Sequence, residues 1–386
     1  MNKLTLFIRA FQDVLTFNAL PQKERTIVFY SEDNASWLHF ETIIEELTHT
    51  HKKQICYLTS SPNDPIFKMN NPRIKPFFVG MGAMRTYMFS SLKAKIMILT
   101  MPDIETFHIK RSQVFDVHYV YIFHSMFSVH SYLRKGAVDH YDSVFCVGPH
   151  HNQEIRATEK VYALPEKKLI NFGYIRLDTL LKESKNRREE FRKADHTKKR
   201  ILVAPSFGQH SLLENHGQKI VEVLLKAGYH VTVRPHPVTQ KKSPQILKAL
   251  TSQFGSHPDF VMETEIRSYE SLHNAHCMIC DWSGVSWEYA FGLERPVLFI
   301  DVPKKVNNPD FGDIDIVPLE IPIRNDIGKV IAPDNLEVMP KVIEELYRDY
   351  DDFAHKIQKI REATIYNIGF SGKVGAEYIA GLAEDS

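Results

Sequence analysis

The chain has 386 residues, 43% of them hydrophobic and 25% charged, with 17 Gly and 20 Pro; this composition excludes a collagen-like or mainly disordered protein, and the length suits two domains better than one core. Lys+Arg 48 against Asp+Glu 47 leaves a net charge of +1, too little to hold a polyanion such as duplex DNA by counterion release, so no nucleic-acid partner is expected. Cys56, Cys146, Cys277 and Cys280 are too few for a disulfide framework, there is no secretory signal, and no apolar run approaches the ~20 residues of a spanning helix, so a cytoplasmic protein is expected.

From Thr26 onward, short apolar runs bounded by turn residues predict strands at 27–30, 55–59, 76–79, 95–99, 119–123 and 143–147. Between the first two, Ile43, Ile44 and Leu47 recur at helical spacing behind Asn34 or Ser36 as a cap, which predicts a helix over 37–47. A strand-helix-strand unit implies a parallel sheet. Residues 182–200 carry nine Lys or Arg against four Asp or Glu and read as the connection between domains. The alternation then restarts, with strands at 201–204, 230–234, 260–262, 277–280 and 296–300 and helices at 217–227, 244–254 and 285–291. No period of 20 to 50 residues appears, which argues against solenoids and propellers. The expected fold is α/β: two facing Rossmann-like domains with parallel sheets, over residues 1–185 and 186–386. Ligands of such sheets bind at the carboxyl ends of the strands.

The loops there hold the polar residues. His124 follows the strand at 119–123; neutral imidazole in that position serves as a general base, or equally as a histidine bonded to a neighbouring loop. Arg234-Pro235-His236-Pro237 sets a guanidinium and an imidazole on a rigid turn, suited to a phosphate; the alternative is an internal salt bridge and a packed ring. Asp281-Trp282-Ser283-Gly284 opens a helix whose free N–H groups and the Ser283 hydroxyl favour an anion, although Ser and Asp cap helices whatever their function. Glu288 reads either as a partner of a ribose hydroxyl or as a solvated helix carboxylate. Cys277 and Cys280 match C-x-x-C but fall in a predicted strand, where positions i and i+3 face opposite ways, so no metal site is expected. The histidine pairs His49/His51 and His150/His151 read as solvated helix ends.

Taken in order, these motifs resemble the CDP-glycerol glycerophosphotransferase family of teichoic-acid enzymes over residues 119–301. The family's strand ending in His-Gly is similar to Tyr121-Ile122-Phe123-His124-Ser125, with Ser125 for glycine. Its Gly-Tyr-Pro-Arg-x-Asp is similar to Gly173-Tyr174-Ile175-Arg176-Leu177-Asp178, and its Ala-Pro-Thr-Trp-Arg to Ala204-Pro205-Ser206-Phe207-Gly208. Arg-x-His is matched by Arg234-Pro235-His236, and Ser-Asp-Tyr-Ser-Ser with a following acid by Cys280 to Gly284 and Glu288.

The resemblance implies a GT-B enzyme that moves glycerol-phosphate or ribitol-phosphate from a CDP-activated donor to the hydroxyl of a polysaccharide or lipid-linked acceptor in cell-surface polymer synthesis. It implies His124 and His236 as catalytic residues, Arg234, Ser283, Gly284, Asp281, Ser206 and Arg176 around the donor phosphates, Glu288 on the ribose, and no metal or other cofactor. The domain at 1–185 would bind the acceptor and that at 186–386 the donor. Two rivals remain: a glycosyltransferase of the same architecture using a nucleotide-sugar, and a non-catalytic nucleotide-binding protein that kept the binding loops. Met84, Tyr87, Met88 and Phe89 beside Arg85 and Lys93, and the basic run at 182–200, suggest contact with the inner face of the cell membrane; a Met-rich core helix and a solvated charged face are the alternatives.

Overall fold

The structure, a computed structural model, describes residues 2–107, 109–193, 198–265, 269–304 and 306–384. The first sheet is built from β1 (Ile27–Ser31), β2 (Ile55–Thr59), β3 (Ile74–Phe78), β4 (Ile96–Leu99), β5 (His118–Ile122), β6 (Ser143–Cys146) and β7 (Lys168–Asn171), in the order β3-β2-β1-β4-β5-β6-β7. The second contains β8 (Arg200–Val203), β9 (His230–Val233), β10 (Phe260–Met262), β11 (Cys277–Cys280), β12 (Val297–Ile300) and β13 (Gly328–Ile331), in the order β10-β9-β8-β11-β12-β13. Every pairing is parallel. In both sheets the order reverses beside the first strand, at β1/β4 and at β8/β11, and at such switch points the loops diverge to leave room for a ligand.

Strands covered on both faces need apolar residues at every position, and β1, β2, β4, β6, β11 and β12 are buried throughout. The edge strands β7, with exposed polar residues at both ends, and β13, which begins Gly-Lys and is only partly buried after Gly328, hold just two apolar residues in a row each, too short a run for the sequence to predict. The helix expected over 37–47 is instead a 3₁₀ turn Ser36–His39, one turn of α-helix Glu41–Glu45 and a wider π turn Glu46–Thr50. Ile43, Ile44 and Leu47 remain buried, while the Thr48 hydroxyl donates back to the Ile44 carbonyl (2.8 Å), an alternative bond that loosens regular helix. An unpredicted helix, Lys3–Ala19, precedes the first strand; Asn2 caps it by accepting from the Thr5 N–H (2.8 Å).

The chain divides into two compact units: Met1–Arg176 with Asn308–Asp315 and Ile365–Ser386, and Leu177–Asn307 with Ile316–Thr364. This differs from a single cut at 185/186 in two ways. First, residues 182–193 are not a linker but continue the helix Ile175–Lys193, with residues 194–197 of the expected connection outside the described residues. The Leu180 side chain lies where a Cβ on Gly292 would be, His273 Nε2 lies 3.0 Å from a Glu183 carboxylate oxygen, and the Arg295 guanidinium sits 3.5 Å over the Phe191 ring. Second, the C-terminal helix Ser371–Glu384 returns to the first sheet and buries Ala376, Ile379 and Ala380 with Ile27, Phe29 and Ile43.

Candidate active site

In the first unit, β5 delivers His124 at its carboxyl end, half-buried. Its Nδ1 lies 3.3 Å from the Thr100 carbonyl. A carbonyl only accepts, so Nδ1 carries the proton and Nε2 is left as a lone-pair base. Burial lowers the His124 pKa, with the Arg176 charge acting the same way; the bond to Thr100 and the Asp33 carboxylate oppose them. The net lowering keeps the ring neutral at cell pH.

Arg176, read above as a donor residue, falls in this unit at the start of the helix Ile175–Lys193. Its charge also contributes to holding His39 well below the usual histidine range, after burial. The His39 and His124 ring centroids are 6.5 Å apart, and the His39 ring is 5.9 Å from that of Tyr174. The Tyr174 hydroxyl donates to the main-chain carbonyl of His124 (3.1 Å). Sequence reasoning missed His39, whose only signal is its place in the turn after a predicted strand.

The loop that follows His124 is bolted down by the helix Pro149–Val161. His150 Nε2 donates to the Met126 carbonyl (2.9 Å) and His151 Nε2 to the Phe127 carbonyl (2.8 Å). His151 Nδ1 accepts from the Val147 N–H (3.3 Å). One Glu154 oxygen accepts from the N–H of Val129 (2.5 Å) and of His130 (3.3 Å) and lies 3.0 Å from His130 Nδ1. Both histidines are buried, and burial holds the His151 pKa well down. The reading of His150 and His151 as a solvated helix end is therefore overturned: the rings satisfy backbone groups that burial would otherwise leave unpaired, His150 at the Met126 carbonyl and His151 between the Phe127 carbonyl and the Val147 N–H.

In the second unit, Asp281 at the end of β11 is buried and accepts from Ser206 N (2.7 Å), Ser206 Oγ (2.9 Å) and Leu212 N (3.0 Å). Burial raises its pKa and these bonds pull it down. It thus ties the loop after β8 to the loop after β11, so Ser206 and Asp281 come together with Asp281 as the one that positions. Ser283 and Gly284 follow, and among the described residues no side chain caps the helix Val285–Leu293 that they open. Glu288 on that helix is buried, which rules out the solvated carboxylate.

His236 caps the helix Pro237–Lys242 by accepting the Val238 N–H at Nδ1 (3.1 Å), so a neutral ring carries its proton on Nε2 as a donor. The Phe207 ring lies against it, centroids 4.4 Å apart and 31° from parallel. Arg234 is buried, donating to the Ser271 hydroxyl (2.9 Å) and lying 3.8 Å from Glu263. The salt-bridge alternative describes this arginine better than an open phosphate clamp. Cys277 and Cys280 are free and buried in β11; burial pushes the Cys277 thiol up to about 12 and the Cys280 thiol further. Among the described residues no three His, Cys, Asp or Glu side chains gather as metal ligands.

This chain is similar in structure to the wall teichoic acid polymerase TagF, with a TM-score of 0.64 at 15% identity over 100% of this chain and 99% of that one. A TagF structure soaked with CDPG gives 0.63 at 14% identity over 100% and 99%. UDP-GlcNAc 2-epimerase from Methanocaldococcus jannaschii, in complex with UDP-GlcNAc and UDP, gives 0.54 at 15% identity over 92% and 99%. At such identities the likeness establishes the fold alone, that of two Rossmann-like domains of GT-B type. No curated protein is similar enough in sequence to count as a match. A family pattern does match, over residues 14–305, and so reaches through β1 to β4, well ahead of residue 119 where the motifs begin. The chain belongs to the CDP-glycerol:poly(glycerophosphate) glycerophosphotransferase family.

Proposed function

We propose that His124 is the general base of this enzyme and that the loops after β8, β9 and β11 receive the donor. Family membership makes the chain a transferase that moves polyol-phosphate from a CDP-linked donor in cell-wall polymer synthesis. The observation that carries the assignment is the His124 tautomer, with Nδ1–H on the Thr100 carbonyl and Nε2 basic.

In the reaction the acceptor hydroxyl oxygen attacks the phosphorus that bears the polyol and gives its proton to His124 Nε2. The new O–P bond forms as the bond to the bridging oxygen breaks, and cytidine monophosphate leaves with that oxygen. Charge grows on the transferring and leaving phosphates, so the groups that matter are donors fixed before the reaction starts. His236 Nε2–H, the Ser283 hydroxyl and the positive end of the helix behind Gly284 supply these in the second unit, while Ser206, whose N–H and hydroxyl are both given to Asp281, holds the loop after β8 in place. Arg234 contributes its positive charge from within its bonds to Ser271 and Glu263, and Glu288 takes the ribose. Arg176 serves the first unit, where its charge favours the neutral form of His124. The first unit is assigned the acceptor and the second the donor.

Similarity to a polymerase of wall teichoic acid supports a polymer or lipid-linked acceptor and work at the inner membrane surface. No helix among the described residues is long and apolar enough to cross a membrane, which leaves peripheral contact as the proposed mode. Product analysis with CDP-glycerol, CDP-ribitol and nucleotide-sugars tests the donor class: turnover of a nucleotide-sugar in place of both CDP-polyols would refute this reading.

A further inference from the structure

His39 stands apart from the other buried histidines. His130, His150, His151, His273 and His276 each bond a carboxylate or a backbone group. His39 is only 5% exposed, yet among the described residues neither of its ring nitrogens has a hydrogen-bond partner, and neither is sealed in the core. Buried polar groups are nearly always paired, so two open nitrogens on a buried ring call for a partner from outside the chain. The ring itself is fixed. Ser36–His39 is a 3₁₀ turn after β1, and the next residue, Phe40, is fully buried against the Phe29 and Tyr57 rings. The Tyr174 ring packs on His39 while its hydroxyl is tied to the His124 carbonyl. Because β4 lies between β1 and β5, His39 and His124 flank the loop after β4, where Thr100 holds His124 Nδ1. The two rings stand edge to face, 80° between planes and 6.5 Å between centroids, close enough for one small polyol to meet both. Burial, ahead of the Arg176 and His124 charges, keeps His39 uncharged, with one nitrogen a donor and the other an acceptor. That suits a hydroxyl, which both donates and accepts, rather than a phosphodiester, which only accepts.

We propose that His39 binds the acceptor hydroxyl next to the one that attacks, so that the enzyme selects acceptors ending in a vicinal diol. This role presupposes His124 as the base of a polyol-phosphate transfer, as proposed above. With the attacking hydroxyl on His124 Nε2, the neighbouring carbon of the same polyol brings its own hydroxyl to His39. The second bond fixes the rotation of the acceptor end and so aligns the attacking oxygen. An acceptor with a lone hydroxyl leaves His39 unpaired, and a site that must leave a buried polar group unpaired rejects such an analogue.

The test compares two synthetic acceptors: octyl glyceryl phosphate, which ends in a vicinal diol, and octyl 3-hydroxypropyl phosphate, which lacks only the 2-hydroxyl. Release of cytidine monophosphate from CDP-glycerol and from CDP-ribitol gives kcat/KM for each. Wild type is expected to favour the diol by about tenfold or more. His39→Phe, which keeps a flat ring without nitrogens, is expected to bring that ratio to about one through loss of the diol rate. His39→Gln, whose amide both donates and accepts, is expected to restore part of the ratio, and both variants to melt near the wild-type temperature. A wild type with no preference for the diol, or a His39→Phe that keeps the preference even at a lower rate, would overturn the His39 assignment and leave the transferase reading standing. No release by wild type with either acceptor would instead overturn the transferase reading, and the role of His39 with it.

Discussion

His124 combines a basic Nε2, fixed by the Nδ1 bond to Thr100, with a pKa that burial has lowered. The base works unprotonated, so activity is lost only as pH falls through that lowered value. The acidic limb of kcat/KM is expected at a midpoint below the ordinary histidine value of about 6.5, and a limb above it would contradict the assignment. Glu154 makes a second test. Its truncation to alanine strips an acceptor from two buried N–H groups and a partner from His130, at a cost of about 3 kcal/mol. Thermal melts should show that loss, and kcat should fall further than KM rises, because the loop after His124 is loosened. At this scale the sequence identified the polar residues but not their partners. His124, Asp281 and His236 were legible as strand-end residues. Asp281 as a tie to Ser206 was not, nor was His151 as a bridge, because each depends on a residue 24 to 75 positions away.

The elements that hold the site are loops pinned at both ends. Gly173, in the motif that leads to Arg176, has φ +104°, and a Cβ there would come within 2.4 Å of both the Ser371 hydroxyl and the Tyr366 carbonyl. Gly173→Ala is therefore expected to cost about 1–3 kcal/mol of backbone strain and displaced contacts. Denaturant unfolding checks it; an unchanged midpoint would show that the C-terminal segment gives way. Strands with long apolar runs were readable from sequence, as were the helices at 244–254 and 285–291, since periodicity reports burial directly. The edge strands β7 and β13 were not, being half exposed. The first helix carries its signal in Leu4, Phe7, Ile8, Phe11 and Leu15 but precedes the first strand, outside the strand-helix alternation that marks the fold.

For the molecule as a whole, the two-sheet architecture follows from alternation of strand and helix, while the unit boundaries do not. Periodicity is local, and it carries no sign that the helix Ser371–Glu384 rejoins the first sheet. Deleting residues 365–386 is expected to uncover Ile27, Phe29, Ile43 and their neighbours. The truncated chain should bind a hydrophobic dye and aggregate; a soluble, cooperatively melting product would show that the first unit closes without that helix. The most direct test of the whole account is release of cytidine monophosphate from CDP-glycerol and CDP-ribitol, with a lipid-linked acceptor, by wild type, His124→Ala and His236→Ala. Release by wild type is expected, with both variants slower by about 10²- to 10⁴-fold and folded as wild type. Release at the wild-type rate by His124→Ala would contradict it.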